Sequence, residues 1–318
     1  SEMCIRDRFW IGRYVERADG TARILDVHLQ LLLEDPWVEE DTACRALLSV
    51  MGTTADADTV LSRDDVVRLL ALDREHSASI AHSIASAREN ARRAREIIST
   101  DLWETLNESN ARMPRRIASD KTHPFFRWVR DRSALAFGVV DSSTSRDEAW
   151  HFFVLGRSIE RADMTARLLA TRSLTEAGGP SWTTLLRSCG AYEAHLRSHR
   201  AVPTGASAVE FLLIDRLFPR SVLSSILQAE ECLRGIDPAG AFGVPDRAHR
   251  VLGRMRSELE YRPIGDTVHR LSESMEEVQV GMSVASDAIR ERYFPSIAMP
   301  VWICLLYTSD AADDLLCV

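Results

Sequence analysis

The chain lacks most of the features on which the commoner protein chemistries are built. Of its six cysteines, Cys44, Cys189 and Cys232 lie in the body of the chain, with no C-x-x-C and no framework spacing; they read as reduced, packed thiols of a cytoplasmic protein. No glycine-rich loop precedes a helix in the pattern that cradles phosphates, which excludes the common nucleotide-binding turns. The net charge is −8 with no basic run, so nucleic acid is not an expected partner. No apolar stretch reaches spanning length and no signal peptide is visible, so no membrane role is expected. No serine or cysteine sits in a nucleophile-elbow context. Among the nine histidines, only His195 and His199 share a face at i,i+4, and they lack the acid of a zinc-protease helix. The expectation is a chain without metal or cofactor.

The ends do not continue the patterns beside them. SEMCIRDR at 1–8 and the stretch from about 303 to 318 read as non-native translated tails and are set apart from fold reasoning. Without Asp310, Asp313 and Asp314 the net charge is about −5. Residues 293–318 are then a C-terminal segment of mostly non-native sequence.

Strand signals are nearly absent. Apolar residues recur at helical spacing in stretches rich in Ala, Leu, Arg and Glu, which predicts helices over 9–33, 41–51, 64–72, 76–107, 121–140, 146–171, 181–198, 207–215, 218–235, 245–261 and 265–292. Turn chemistry separates them at Asp35-Pro36, Gly178-Gly179-Pro180, Pro203-Thr204-Gly205 and from Asp237-Pro238 to Pro245. Ser145 and Glu148 form a capping-box pattern ahead of the helix at 146. The fold class is all-α, a helical bundle.

What is present in abundance is a repeat. Residues 9–25 read FWIGRYVERADGTARIL and residues 153–169 read FVLGRSIERADMTARLL, eleven identities in seventeen positions at an offset of 144. VVRLLALDREHSASI at 66–80 likewise matches AVEFLLIDRLFPRSV at 208–222, offset 142, and Ser79, Ser83, Ile84, Ala87, Glu89 and Arg92 continue into Ser221, Ser225, Ile226, Ala229, Glu231 and Arg234. So long a period argues for two copies of one sizeable unit. The expected architecture is an internally duplicated bundle with halves 9–145 and 146–292 about a pseudo-two-fold, the two signature helices meeting at a shared interface.

On a helical wheel Gly12, Glu16, Asp19, Arg23 and Asp26 form one stripe. Ile11, Tyr14, Val15, Ala18, Ala22, Leu25 and Leu29 cover the adjacent, core-facing side, and Arg13 and Arg17 lie on the opposite flank. Asp19 with Arg23 is a favourable i,i+4 pair, and Arg13 can reach Glu16 at i+3. The second copy repeats this with Arg157, Glu160, Arg161, Asp163 and Arg167. Three readings fit. The charges are ion pairs knitting two halves, which matter most when buried. Or the arginine forks bind a carboxylate or phosphate while the glutamates hold an amine or orient a proton. Or four acids hold a metal, which the adjacent arginines and the missing Glu-x-x-His argue against. A secondary polar set comprises Arg88, Glu89 and Arg92, with Glu231 and Arg234 as counterparts of the last two; it is a solvated helix face or a shared polar core.

The phrases GRYVERADGTAR and GRSIERADMTAR, the block ARENARRAREIISTDLWETLN and the approach RDRSALAFGVVDSSTSRDEAW together resemble the bacterial alpha-E domain family, over essentially the whole chain between its ends. The resemblance implies an all-helical domain with characteristic glutamates, here Glu16 and Glu160. It also implies association with a circularly permuted ATP-grasp ligase and a transglutaminase-like peptidase. The expected function is therefore an accessory or binding protein of an amide-ligase system, holding partner proteins or a peptide-like product through its Arg/Glu surface. The alternative is an enzyme of that pathway using Glu16 or Glu160 as general base. Met164 in place of Gly20 and Ser158 in place of Tyr14 depart from a perfect repeat, so the two copies need not be equivalent.

Overall fold

The computed structural model describes residues 2–35, 37–173, 180–237 and 246–294. The breaks expected at 178–179 and 238–245, and the chain from 295 onward, lie outside them. Within the described residues there are fourteen α-helices and no strand. They are α1 (Glu2–Glu34), α2 (Glu40–Val50), α3 (Arg63–Val67), α4 (Ile80–Arg93), α5 (Thr100–Ala111), α6 (Thr122–Ser143), α7 (Glu148–Ala170), α8 (Trp182–Ser188), α9 (Tyr192–His199), α10 (Gly205–Ile214), α11 (Val222–Ile236), α12 (Arg247–Tyr261), α13 (Ile264–His269) and α14 (Leu271–Tyr293).

The central pair is α1 and α7, which pack against each other more extensively than any other two elements. Helices α4 and α6 pack on α1, with α5 against those two; α11 and α14 pack on α7, with α12 against those two. Four apolar side chains deep in this core come from the two central helices: Phe9, Phe152, Phe153 and Leu155 are inaccessible or nearly so. Being central explains why α1 is apolar beyond one stripe. Ile11, Ala18, Ala22 and Leu25 are buried as the wheel requires, and Ile24 on the other flank is buried as well. No helix among the described residues is long and apolar enough to cross a membrane.

Several boundaries differ from those the periodicity predicts. Helix α1 begins ahead of Phe9, and residues 5–8 continue it: Ile5 packs on the core, the buried Asp7 carboxylate faces Arg93 at 3.4 Å, and Arg8 donates to the carbonyl of Ile97. The expected helix 64–72 is α3 followed by a π-helical turn at Arg68–Leu72. The expected helix 76–107 is two helices, because Ser99 turns its hydroxyl onto the Leu102 amide and restarts the chain as α5. The expected helix 181–198 breaks at Gly190, whose φ of +67° is the left-handed conformation that ends helices. Likewise 265–292 divides at Arg270 into α13 and α14. The cap of α7 is Asp147, accepting from the Trp150 amide at 3.0 Å, rather than Ser145. A carboxylate two residues nearer the first free amides serves both the hydrogen bond and the helix dipole.

Local geometry recurs at the repeat offsets. Ser79 and Ser221 cap α4 and α11, each accepting from an amide three residues on at 3.0 Å. Each also donates to the carbonyl of an aspartate, Asp73 or Asp215. At a different spacing, 138 residues, Gly52 and Gly190, with φ +72° and +67°, end α2 and α8 alike.

Candidate functional site

The two signature segments cross at their glycines. A Cβ on Gly12 would stand 2.1 Å from the carbonyl oxygen of Phe153, and a Cβ on Gly156 would stand 2.1 Å from that of Phe9. Phe9 and Phe153, like Gly12 and Gly156, are repeat partners, so the contact is reciprocal. Only glycine lets two helix backbones approach this closely. One turn further along both helices, the approach brings the glutamates of each against the arginines of the other.

Glu160 accepts from Arg13 Nε at 2.8 Å, from Arg17 Nε at 2.6 Å and from Arg17 Nη2 at 3.0 Å. Glu16 accepts from Arg161 Nη2 and from Arg220 Nη1, both at 2.7 Å. Both glutamates are wholly inaccessible to solvent. The i+3 pairing expected between Arg13 and Glu16 does not form; Arg13 crosses to the other helix instead. Adjacent Glu and Arg side chains diverge by about 100° on one helix, so neither can satisfy the other. Across the crossing each glutamate meets the arginine of the other segment's dipeptide, and the Glu-Arg pair becomes a clasp.

The flanking pairs lengthen this seam. Asp19 binds Arg23 at 2.8 Å and Arg220 at 2.8 Å, and Asp163 binds Arg167 at 2.7 Å. Each outer arginine also reaches a carbonyl at the end of a helix from the opposite half: Arg23 that of Ser188 in α8, and Arg167 that of Val50 in α2. Thr21 and Thr165 donate to the carbonyls of Ala78 and Arg220, which are repeat partners at offset 142.

Two departures from symmetry are informative. Arg157, the counterpart of Arg13, leaves the seam for Asp141 at 3.3 Å and stacks on Phe137. Its place on Glu16 is taken by Arg220, which the sequence reading did not single out. The signal was present: within two matching segments, Arg220 stands where the first copy has Ala78. The aromatic brackets differ as well. Arg13 and Arg17 lie over Trp10 and Tyr14 of their own helix, whereas Arg157 and Arg161 both lie over Phe137 of α6. That follows from Ser158 standing where the first copy has Tyr14.

Burial by itself would raise the pKa of Glu16, but the charges of Arg161 and Arg220 outweigh it and lower it to about 2. Glu160 is lowered in the same way, burial being overcome by Arg17 and Arg13. Burial lowers and Glu160 raises the Arg17 pKa, with a net rise. The two glutamates thus stay ionised in a closed interior.

The secondary set behaves otherwise. Arg92 pairs with Glu89 at 2.8 Å and Arg234 with Glu231 at 3.1 Å, each within its own helix and in solvent. The shared polar core considered for them does not exist, because α4 and α11 turn Ala87 and Ala229 inward and these charges outward. Arg88 hydrogen-bonds Asn107 at 3.1 Å and lies over Trp103, fastening α4 to α5.

A family model described as "a predicted alpha-helical domain with a conserved ER motif" matches residues 5–294. The chain belongs to the Alpha-E family. The Glu-Arg dipeptides of its two signature segments, Glu16-Arg17 and Glu160-Arg161, are the halves of the clasp. Uncharacterized proteins of Mycobacterium bovis and of two Mycobacterium tuberculosis strains are 23% identical over 280 residues, covering 78% of this chain and 31% of theirs. The chain thus spans about a third of the length of the curated relatives it matches. No solved structure matches it significantly.

Proposed function

We propose that this Alpha-E chain is a non-catalytic accessory or binding module of an ATP-grasp amide-ligase system, in which the Glu-Arg clasp supplies rigidity. One observation carries the non-catalytic part: Glu16 and Glu160 are inaccessible and each is held by two guanidinium groups. A general base must reach a proton on substrate and hold it near the working pH; these carboxylates are closed off and strongly acidic. The reading of the seam as a surface for partners is likewise disfavoured, since its arginines are spent on internal pairs.

The accessory role rests on the resemblance described above and on the proportions of the mycobacterial relatives. A region that makes up 31% of a longer chain is placed as a module beside others. Ligase and peptidase partners, or a peptide-like product, would then be met by outer helix faces. Internal duplication belongs to the same proposal, supported by the reciprocal glycine, glutamate and threonine contacts. Cytoplasmic residence does too, supported by Cys44, Cys189 and Cys232, which are free and buried with thiol pKa values pushed up by burial.

The test is co-purification of the tagged chain with the neighbouring ligase, alongside a Glu16→Gln, Glu160→Gln variant. The expected result is capture by the wild type, and loss of capture together with a lowered melting temperature in the variant. An unchanged melting temperature with lost amide product would overturn the proposal in favour of chemistry at the glutamates.

A further inference from the structure

Past the seam, the charged stripe of α1 continues to Asp26 and opens onto a cavity of about 420 Å³ between α1, α6 and α8. It is lined by Asp26, Gln30, Glu34, His123, Arg130 and Arg187, among others. This volume lies within the range of small-molecule sites, roughly 300–1,000 Å³. The acid at its edge is not repeated, because the counterpart of Asp26 is Ala170.

Its two arginines differ from those of the seam. Among the described residues Arg130 makes no hydrogen bond, and its one ion pair, to Asp26, is long at 3.9 Å. Its side chain is only 20% exposed, so solvent does little for it. Burial and the neighbouring guanidinium of Arg23 lower its pKa by more than the charges of Asp26, Asp19 and Asp131 raise it. Arg187 stacks on Tyr192 at 4.9 Å, which fixes its plane and leaves its N–H groups unbonded among the described residues. The partly buried donors of Arg130 lack an acceptor among the described residues, which favours a ligand that supplies one, and Arg187 presents its own donors from the exposed rim. Acids line the same space: Asp26, which His123 holds at 2.8 Å, and Glu34, which accepts from Gln30 at 2.6 Å.

We propose that this cavity binds a small zwitterion, a free amino acid or a dipeptide. Its carboxylate is taken by Arg130 and Arg187, and its ammonium by Glu34 and Asp26. Planar guanidinium groups suit a carboxylate, and the balance of two arginines with two acids suits a ligand carrying both charges rather than a polyanion. The site is independent of the clasp and of any ligase partnership.

Calorimetric titration of the full chain with L-alanyl-L-alanine tests it, compared with the dipeptide amide, the N-acetyl dipeptide and inorganic phosphate. The dipeptide is expected to bind, the amide not to bind, and the N-acetyl form to bind more weakly. Arg130→Gln and Arg187→Gln should each weaken dipeptide binding about tenfold or more, while Arg254→Gln, on a distant exposed pair, should not. Melting temperatures separate lost binding from lost fold, and Arg187, being exposed, remains testable if Arg130→Gln unfolds. No heat with the dipeptide, equal affinity for its amide, tighter binding of phosphate, or indifference to both cavity arginines would each overturn the assignment.

Discussion

At the scale of single residues the clasp turns on an asymmetry of charge. Six arginines, counting Arg220, meet four acids in the seam. Removing an acid therefore strands cations, whereas removing an arginine leaves a partner in place. Glu16→Gln should destabilise the chain by about 3–5 kcal/mol, the cost of a broken buried pair, measured by urea unfolding. A Glu16→Gln, Arg161→Met double variant should lose less than the sum of the singles. The two glutamates among them also set a pH response. Their folded pKa values, about 2, lie below the unfolded carboxylate value of about 4.3. Their contribution is thus complete above that value and is lost as pH falls towards 2. Melting temperature should drop steeply over that window, and less steeply in the Glu16→Gln, Glu160→Gln variant. Equal slopes would remove the clasp from the account of acid stability.

At the scale of elements, close helix contact outweighs helix propensity at two glycines and not at a third. Alanine normally stabilises a helix by about 0.5–1 kcal/mol over glycine. A Cβ at Gly12 or Gly156 would overlap a carbonyl, whereas one at Gly138 in α6 has nothing within 4 Å. Gly12→Ala and Gly156→Ala should therefore lose about 1–3 kcal/mol, the range for overpacking, and Gly138→Ala should gain; chemical denaturation of the three reads both signs. The helices themselves were legible in the apolar spacing, and so was the doubled charged phrase. The fine divisions were not. Ser99 and Arg270 interrupt patterns whose periodicity runs on, and only the hydrogen bonds of the folded chain show where each helix restarts. The partner of each glutamate was hidden for another reason. A wheel drawn on one helix offers only neighbours at i+3 and i+4, and Arg13 finds its acid 147 residues away.

At the scale of the whole molecule, the expected boundary near 145 falls between α6 and α7, yet the largest internal contact lies across it. Arg23 and Arg167 reach into the opposite half as well. The halves should consequently fold as one unit. Fragments 9–145 and 146–292 made separately are expected to lack cooperative unfolding by circular dichroism, and to regain it when mixed. A sharp transition in either fragment alone would count against this. The open cavity beside Asp26 was only half legible: the stripe led to its edge, but Arg130 and Arg187 come from segments with no visible tie to the repeat.

One pair on the central helices sets the partnership. Gly20 and Met164 occupy equivalent positions in the two copies, and the space a Cβ on Gly20 would fill is taken by the Met164 side chain. Two first copies facing each other would leave a hole there, and two second copies would force two methionines into room for one. The clasp is matched in the same one-sided way at Arg220, whose counterpart is Ala78. The Gly20–Met164 knob and socket thus fits these two segments to each other and would fit neither to a copy of itself.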